Sequence, residues 1–296
     1  MNILPLHFYV NKVILYSMIK SKGDSGQSVV IGALLLLALF VAFISWFQIT
    51  QVPILNQNAE AENNEMIRTE MFEFQEKSYD SILNDNVNQI SFQTKVDYDY
   101  QISGFQDKIG QFSVTEFNDK PITVTDANVT DANVTDANKT NISSVLPSSM
   151  ISLKYTPSYI ERTEIPFIYE NGILIENQTT TKLDKGGQRF IRGNNIYMFE
   201  FETNFVALQS PRIVFFTVPD RDLQETIITG ANDGNETRQD IKIELDTNLS
   251  VEIWEGLLSN QEHVKKVSSD NGGSIIITLD GKEEYKVSTG KAIIEQ

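Results

Sequence analysis

The stretch from Ser28 to Thr50, SVVIGALLLLALFVAFISWFQIT, runs without a charge and constrains this chain more than any other feature. As a helix it extends about 34 Å, against roughly 30 Å for the hydrocarbon core of a bilayer. A secretory apolar stretch is shorter, about 7–15 residues. A helix of this length in a globular core would carry a polar face, and this one has almost none. Trp46 and Phe47 stand near its end, where aromatic side chains favour the membrane–water boundary. Pro53 ends or kinks the helix beyond them. The expectation is one membrane-spanning helix over residues 28–50.

The flanks orient it. Lys12, Lys20 and Lys22 precede the run, with Asp24 as the one anion; Glu60, Glu62, Glu65, Glu70 and Glu73 follow it, accompanied by Arg68. Cations mark the cytoplasmic side, so residues 1–27 read as a cytoplasmic leader and the remainder as extracellular. The leader is interrupted by Pro5, His7 and Lys12, and Met18 is an alternative start that leaves a compact basic MIKSKGDSG. Of the 24 Lys and Arg, three precede residue 51; of the 40 Asp and Glu, one does. That leaves 21 cations against 39 anions beyond it, a net of −18. The basic residues form no stripe, so nucleic acid is not an expected partner. With no cysteine, disulfides, thiol catalysis and thiolate metal sites are excluded, although the compartment is not fixed by this.

Glycosylation acceptors of the N-x-S/T form occur at Asn128, Asn133, Asn138, Asn141, Asn177, Asn235 and Asn248, all on the side read as outside. Four of them fall in TDANVTDANVTDANKTNISS, residues 125–144, which holds three copies of a TDAN-V/K pentapeptide. Asp, Asn, Thr and Ala build no core, so this segment is expected to be a flexible loop. Both a glycosylated surface loop and a drifting low-complexity insertion fit it.

Residues 51–84 are expected to form an amphipathic extracellular helix. Ile67, Met71, Phe74, Ser78 and Ile82 recur at spacings of three and four, and Phe72, Tyr79 and Leu83 widen the stripe. From residue 85 to 296 the period falls to two. Val96, Tyr98, Tyr100 and Ile102 alternate with polar residues, and two apolar runs flank Asn171-Gly172, a strong hairpin signal. IYMFEFETNFVAL, PRIVFFTV and DIKIELDTNL read as strands, Trp254, Leu257 and Leu258 as a short helix. The last segment reads as strands joined by turns at Asn271-Gly272-Gly273 and Asp280-Gly281. The fold class expected is α+β: a mainly β ectodomain of antiparallel, sandwich-like sheets on a long N-terminal helix.

The stretch SGQSVVIGALLLLALFVAFISWFQITQVPILNQNAEAENNE resembles the N-termini of archaeal type IV pilin-like and archaellin-like surface proteins. It is most similar to a group of haloarchaeal and methanogen membrane-anchored β-domain proteins that share a G-Q-S-x-V-I-G helix followed by V-P-x-x-N. SLKYTPSYIERTEIPFIYENGILIEN resembles that group's L-x-Y-x-P-x-Y…P…Y-E-N segment, and the resemblance covers most of the chain outside the repeat. It implies leader cleavage between Gly26 and Gln27, and self-assembly through the exposed helix. The long leader and Asp24 beside the cut depart from the pilin pattern. The group carries no activity to transfer.

Catalytic patterns are absent. His7 and His263 are the two histidines, no G-x-S-x-G accompanies them, and there is no phosphate-binding glycine loop. Residues 231–240, ANDGNETRQD, hold oxygen ligands of the kind calcium takes, at a spacing that does not match the EF-hand. Tyr155, Tyr159, Tyr169 and Asn171 stand out through the resemblance; packing and turn formation are their expected role. No cofactor or metal is expected. The function read from these observations is non-enzymatic, a structural or adhesive role at the cell surface. The alternatives are a membrane-tethered ligand-binding module and, behind it, a surface hydrolase using paired carboxylates.

Overall fold

In the computed structural model of the chain, the residues described are 25–98, 108–116, 122–125, 127–131, 151–163, 165–176, 188–202, 207–219, 226–231, 238–270 and 274–295. They fall into two compact units that divide between Leu55 and Asn56. The first holds α1 (Ser25–Thr50) and the opening turn of α2 (Val52–Asn84). The large side chains of α1, from Val29 to Ile49, stand exposed, and the helix is long and apolar enough to cross a membrane. Gly26 and Gln27 lie in its first turn. Pro53 interrupts less than expected. The Gln51 N–H bonds to the Phe47 carbonyl (2.8 Å) and the Leu55 N–H to that of Gln51 (3.0 Å), so only Gln51 separates the helices. Proline is tolerated in a first helical turn, where its missing N–H has no intrahelical partner to lose.

The second unit is mainly β. After α2 come β1 (Asn88–Gln93), β2 (Gln111–Glu116), β3 (Thr123–Thr125), β4 (Ala127–Asp131), β5 (Ile151–Thr156), β6 (Phe167–Glu170), β7 (Ile173–Glu176), β8 (Ile191–Arg192) and β9 (Asn195–Glu202). Then follow β10 (Ala207–Gln209), β11 (Arg212–Pro219), β12 (Thr226–Gly230), β13 (Ile241–Asp246), α3 (Val251–Leu258), β14 (Val264–Ser269), β15 (Ser274–Leu279) and β16 (Glu284–Glu295). They form three sheets. One runs β1-β11-β16-β12-β4, with β9 also paired to β16 and β8 to β9. The second runs β10-β2-β5-β6-β7 and the third β14-β15-β13-β3.

Four expectations change. The sheets are not all antiparallel, because β9 runs parallel to β16 from Asn195↔Lys286 to Glu202↔Ile293. The first strand lies at Asn88–Gln93, where Ile90 and Phe92 point inward; Val96 is buried, yet it lies beyond an isolated bridge at Lys95, outside any strand. The repeat is not wholly a loop. The end of its first copy and the start of its second, ANVTD, form strand β4, which pairs with β12 from Ala127↔Gly230 to Asp131↔Thr226. Its Val and Thr are strand formers, and they find an edge to join. Residues 132–144 lie outside those described. The last two strands also part company: β15 stays with β13 and β14, whereas β16 joins the largest sheet.

The Asn171-Gly172 hairpin forms as expected, with φ of 46° and 72°, the doubly positive pair that tight hairpin turns require. Two cores result. One gathers Trp254 and Leu258 of α3 with the third sheet and with β8, β12 and β16. The other is built on α2. Ile67, Met71 and Phe74 are fully buried among side chains of the seven- and five-stranded sheets. Phe74 meets Phe92, Tyr169, Phe199, Phe201 and Phe215 at centroid distances of 5.0–6.4 Å. Gly290 of β16 lets this helix approach closely, since a Cβ there would stand 2.7 Å from Ile82 Cγ1. We expect Phe74→Ala to lower the unfolding free energy of the detergent-solubilised chain by about 3–5 kcal/mol, and Phe74→Leu by less. Urea denaturation checks this; a loss below about 1 kcal/mol for Phe74→Ala would show that the core closes without the ring.

Candidate functional site

Three constellations of buried polar groups surround α2 and the β6–β7 hairpin. The first is a cradle around Glu60, whose side chain is fully buried on α2. Three successive backbone N–H groups converge on its carboxylate: Ile160 at 2.6 Å, Glu161 at 3.0 and 3.2 Å, and Arg162 at 2.8 Å. The Tyr98 hydroxyl adds a fourth donor at 2.8 Å. Consecutive N–H groups facing one way make a concave anion site, and here the protein's own carboxylate fills it. One helical turn on, the Tyr159 hydroxyl lies 3.4 Å from Asn64 Oδ1.

The second constellation is a chain of donors ending on Glu170. The Thr247 hydroxyl oxygen accepts from the Leu249 N–H (2.9 Å) and from Trp254 Nε1 (3.0 Å), so its own proton goes to Glu170 Oε1. The Asn248 N–H reaches the other carboxylate oxygen at 3.3 Å. Burial outweighs these bonds and pushes the Glu170 carboxyl up to about 7. Glu70 of α2 is likewise pushed up to about 7 by burial, with the Gln93 N–H opposing the shift at 3.1 Å.

The third is a small cleft lined by Ser78, Tyr79, Tyr169, Arg189, Tyr197 and Phe199, among others, with a volume of about 10 Å³, room for one water-sized group. Tyr79 sits in an aromatic and cationic stack. The Tyr197 ring meets it edge-on at 4.8 Å, and the Arg189 and Arg192 guanidinium carbons lie 5.4 and 5.0 Å from its centroid. One Arg189 nitrogen is held by Glu76, while Nε is buried without an acceptor among the described residues.

The residues singled out in the sequence scatter among these features. Tyr155 and Tyr169 are buried in the α2 core, Tyr159 belongs to the Glu60 end of α2, and Asn171 is in the turn. The Tyr155 ring packs against Gly110, where a Cβ would stand 2.1 Å from its hydroxyl. His263 is half-buried, its ring 6.3 Å from that of Tyr285. His7 lies outside the described residues, as do Asp233 and Glu236 of the calcium-like segment; Asp240 of that segment pairs with Lys265 at 2.5 Å. Among the described residues no group of three or more His, Asp or Glu is placed to hold a metal. Of the glycosylation acceptors, Asn248 is exposed at the turn before α3, and Asn128 lies in β4. Asn133, Asn138, Asn141, Asn177 and Asn235 lie outside the described residues. Glu60, Glu170, Arg189 and Arg192 had no sequence signal: each is one acid or base among many. No protein family, curated protein or solved structure matches the chain.

The raised carboxyls have a consequence for stability. Each is protonated more readily in the folded chain than at its ordinary value of 4.5, so the stability it contributes is full below about 4.5 and is lost as pH rises through about 7. The thermal midpoint is expected to fall between pH 5 and pH 8, and Glu170→Gln to flatten that fall while lowering the midpoint at pH 5. An unchanged slope in the variant would remove Glu170 from the account. Separately, Glu60→Ala leaves four donors without their acceptor and is expected to cost about 2–5 kcal/mol in urea denaturation, with a loss under about 1 kcal/mol showing the cradle to be dispensable.

Proposed function

We propose that this chain is a non-enzymatic cell-surface protein: a single membrane-spanning helix anchors it, and the β-rich unit is displayed outside for structural or adhesive contact. One observation carries the reading. α1 exposes apolar side chains on every face, and a soluble chain does not leave so large a continuous apolar surface in water. Residues 56–296 close cores of their own, as a displayed domain must. The lysines before the helix and the glutamates after it support the outward orientation. The buried acids support a non-catalytic role. Glu60 is saturated by its own backbone, and Glu170 is enclosed by Thr247, Asn248 and Trp254, so neither is presented to a substrate.

The pilin-like reading is one step finer. Cleavage at Gly26–Gln27 would leave α1 at the mature N-terminus, free to pack against copies of itself. A membrane-tethered ligand-binding module is the second reading, favoured by the cleft beside Tyr79.

Alkaline carbonate extraction of native membranes is expected to leave the chain in the pellet, and protease added outside intact cells to digest residues 56–296. Release into the supernatant would sink the anchor. Intact mass with N-terminal sequencing then separates the finer readings: a chain starting at Gln27 makes a filament subunit, and one that keeps Lys20 and Lys22 makes a permanent anchor.

A further inference from the structure

Two of the N-x-S/T acceptors lie among the described residues, and the backbone treats them differently. Asn128, Val129 and Thr130 all belong to β4, where they pair with Thr229, Ile228 and Ile227 of β12. Asn248, Leu249 and Ser250 instead occupy the connection between β13 and α3, outside both elements. Burial alternates along that connection. Asn248 and Ser250 are exposed, while Leu249 between them is 4% exposed and packs into the core that holds Trp254. Ser250 has extended dihedrals, φ −68° and ψ 153°. The two side chains that define the acceptor, an amide and a hydroxyl two residues on, therefore stand outside together, and the residue that plays no part in it is the one turned in. The connection is held from beneath by backbone groups. The Asn248 N–H bonds to Glu170 Oε2 at 3.3 Å and the Leu249 N–H to the Thr247 hydroxyl at 2.9 Å. Neither bond uses the Asn248 side chain.

We propose that Asn248 is an N-glycosylation site and that Asn128 is not. The donor is a lipid-linked oligosaccharide. Asn248 Nδ2 forms a bond to the anomeric carbon of the first sugar, the bond from that carbon to the lipid phosphate oxygen breaks, and the phosphate leaves with the electron pair. Nδ2 sheds one proton to solvent. A bulky hydrophilic glycan suits a side chain that already stands in water. At Asn128 the whole triplet would first have to leave β12 and give up its ladder hydrogen bonds. The assignment rests on the reading that residues 56–296 are displayed outside, where such a transfer takes place.

The test is peptide mapping of the chain purified from native membranes, with fragment-ion sequencing to place each added mass on a residue. A saccharide mass is expected on Asn248, and Asn128 is expected bare. Asn248→Gln and Ser250→Ala both lose the mass at this site, whereas Ser250→Thr, which keeps the hydroxyl, retains it. Protease added outside intact cells separates the two ways of failing. A bare Asn248 in a chain that the protease digests overturns the site and leaves the outward orientation standing. A bare Asn248 in a chain that the protease does not reach overturns both. A saccharide on Asn128 overturns the selection of the acceptor by the sheet.

Discussion

The larger two sheets of the β-rich unit meet over one buried helix face. α2 presents Asn56, Glu60, Asn63, Asn64, Ile67, Met71, Phe74, Gln75, Ser78 and Ser81 inward, a stripe with helical spacing along most of its length. The middle of the stripe supplies the hydrophobic gain, since Phe74 alone touches side chains of both large sheets. Removing that ring would open a void among the aromatic side chains of both sheets, beside Ile67 and Met71. The sheets are therefore not an independent sandwich with a helix laid on top; they are two layers assembled around a helix.

The ends of the same stripe are polar, and that sets the register. Apolar contact is indifferent to sliding by a fraction of a turn, whereas Glu60 must meet three consecutive N–H groups, and Gln75 Nε2 must meet the Gly172 carbonyl at 2.8 Å. Arg68 adds a bond from Nε to Glu176 at 3.1 Å. These directional contacts fix the helix along its axis and in rotation, while the Phe74 cluster supplies most of the stabilisation.

This division explains what could be read in advance. The central stripe was legible because Ile67, Met71 and Phe74 are apolar at helical spacing, and the β6–β7 hairpin because Asn-Gly accepts positive φ. α3 was legible through Trp254 and Leu258. The polar ends were not. A buried Glu60 differs from an exposed Glu62 only by its partners, and those lie about a hundred residues away in the chain. The parallel pairing of β9 with β16 was hidden for a similar reason: alternation reveals a strand and the face it buries, but not the direction of a neighbour some ninety residues on. The repeat misled in the opposite sense. Its composition argued for a loop, yet five residues suffice for an edge strand when β12 offers free backbone groups.

The cleft beside Tyr79 follows from the same packing. Arg189 is held on three sides there: its guanidinium carbon lies 5.4 Å from the Tyr79 centroid, one nitrogen pairs with Glu76, and its backbone N–H bonds to the Gly172 carbonyl.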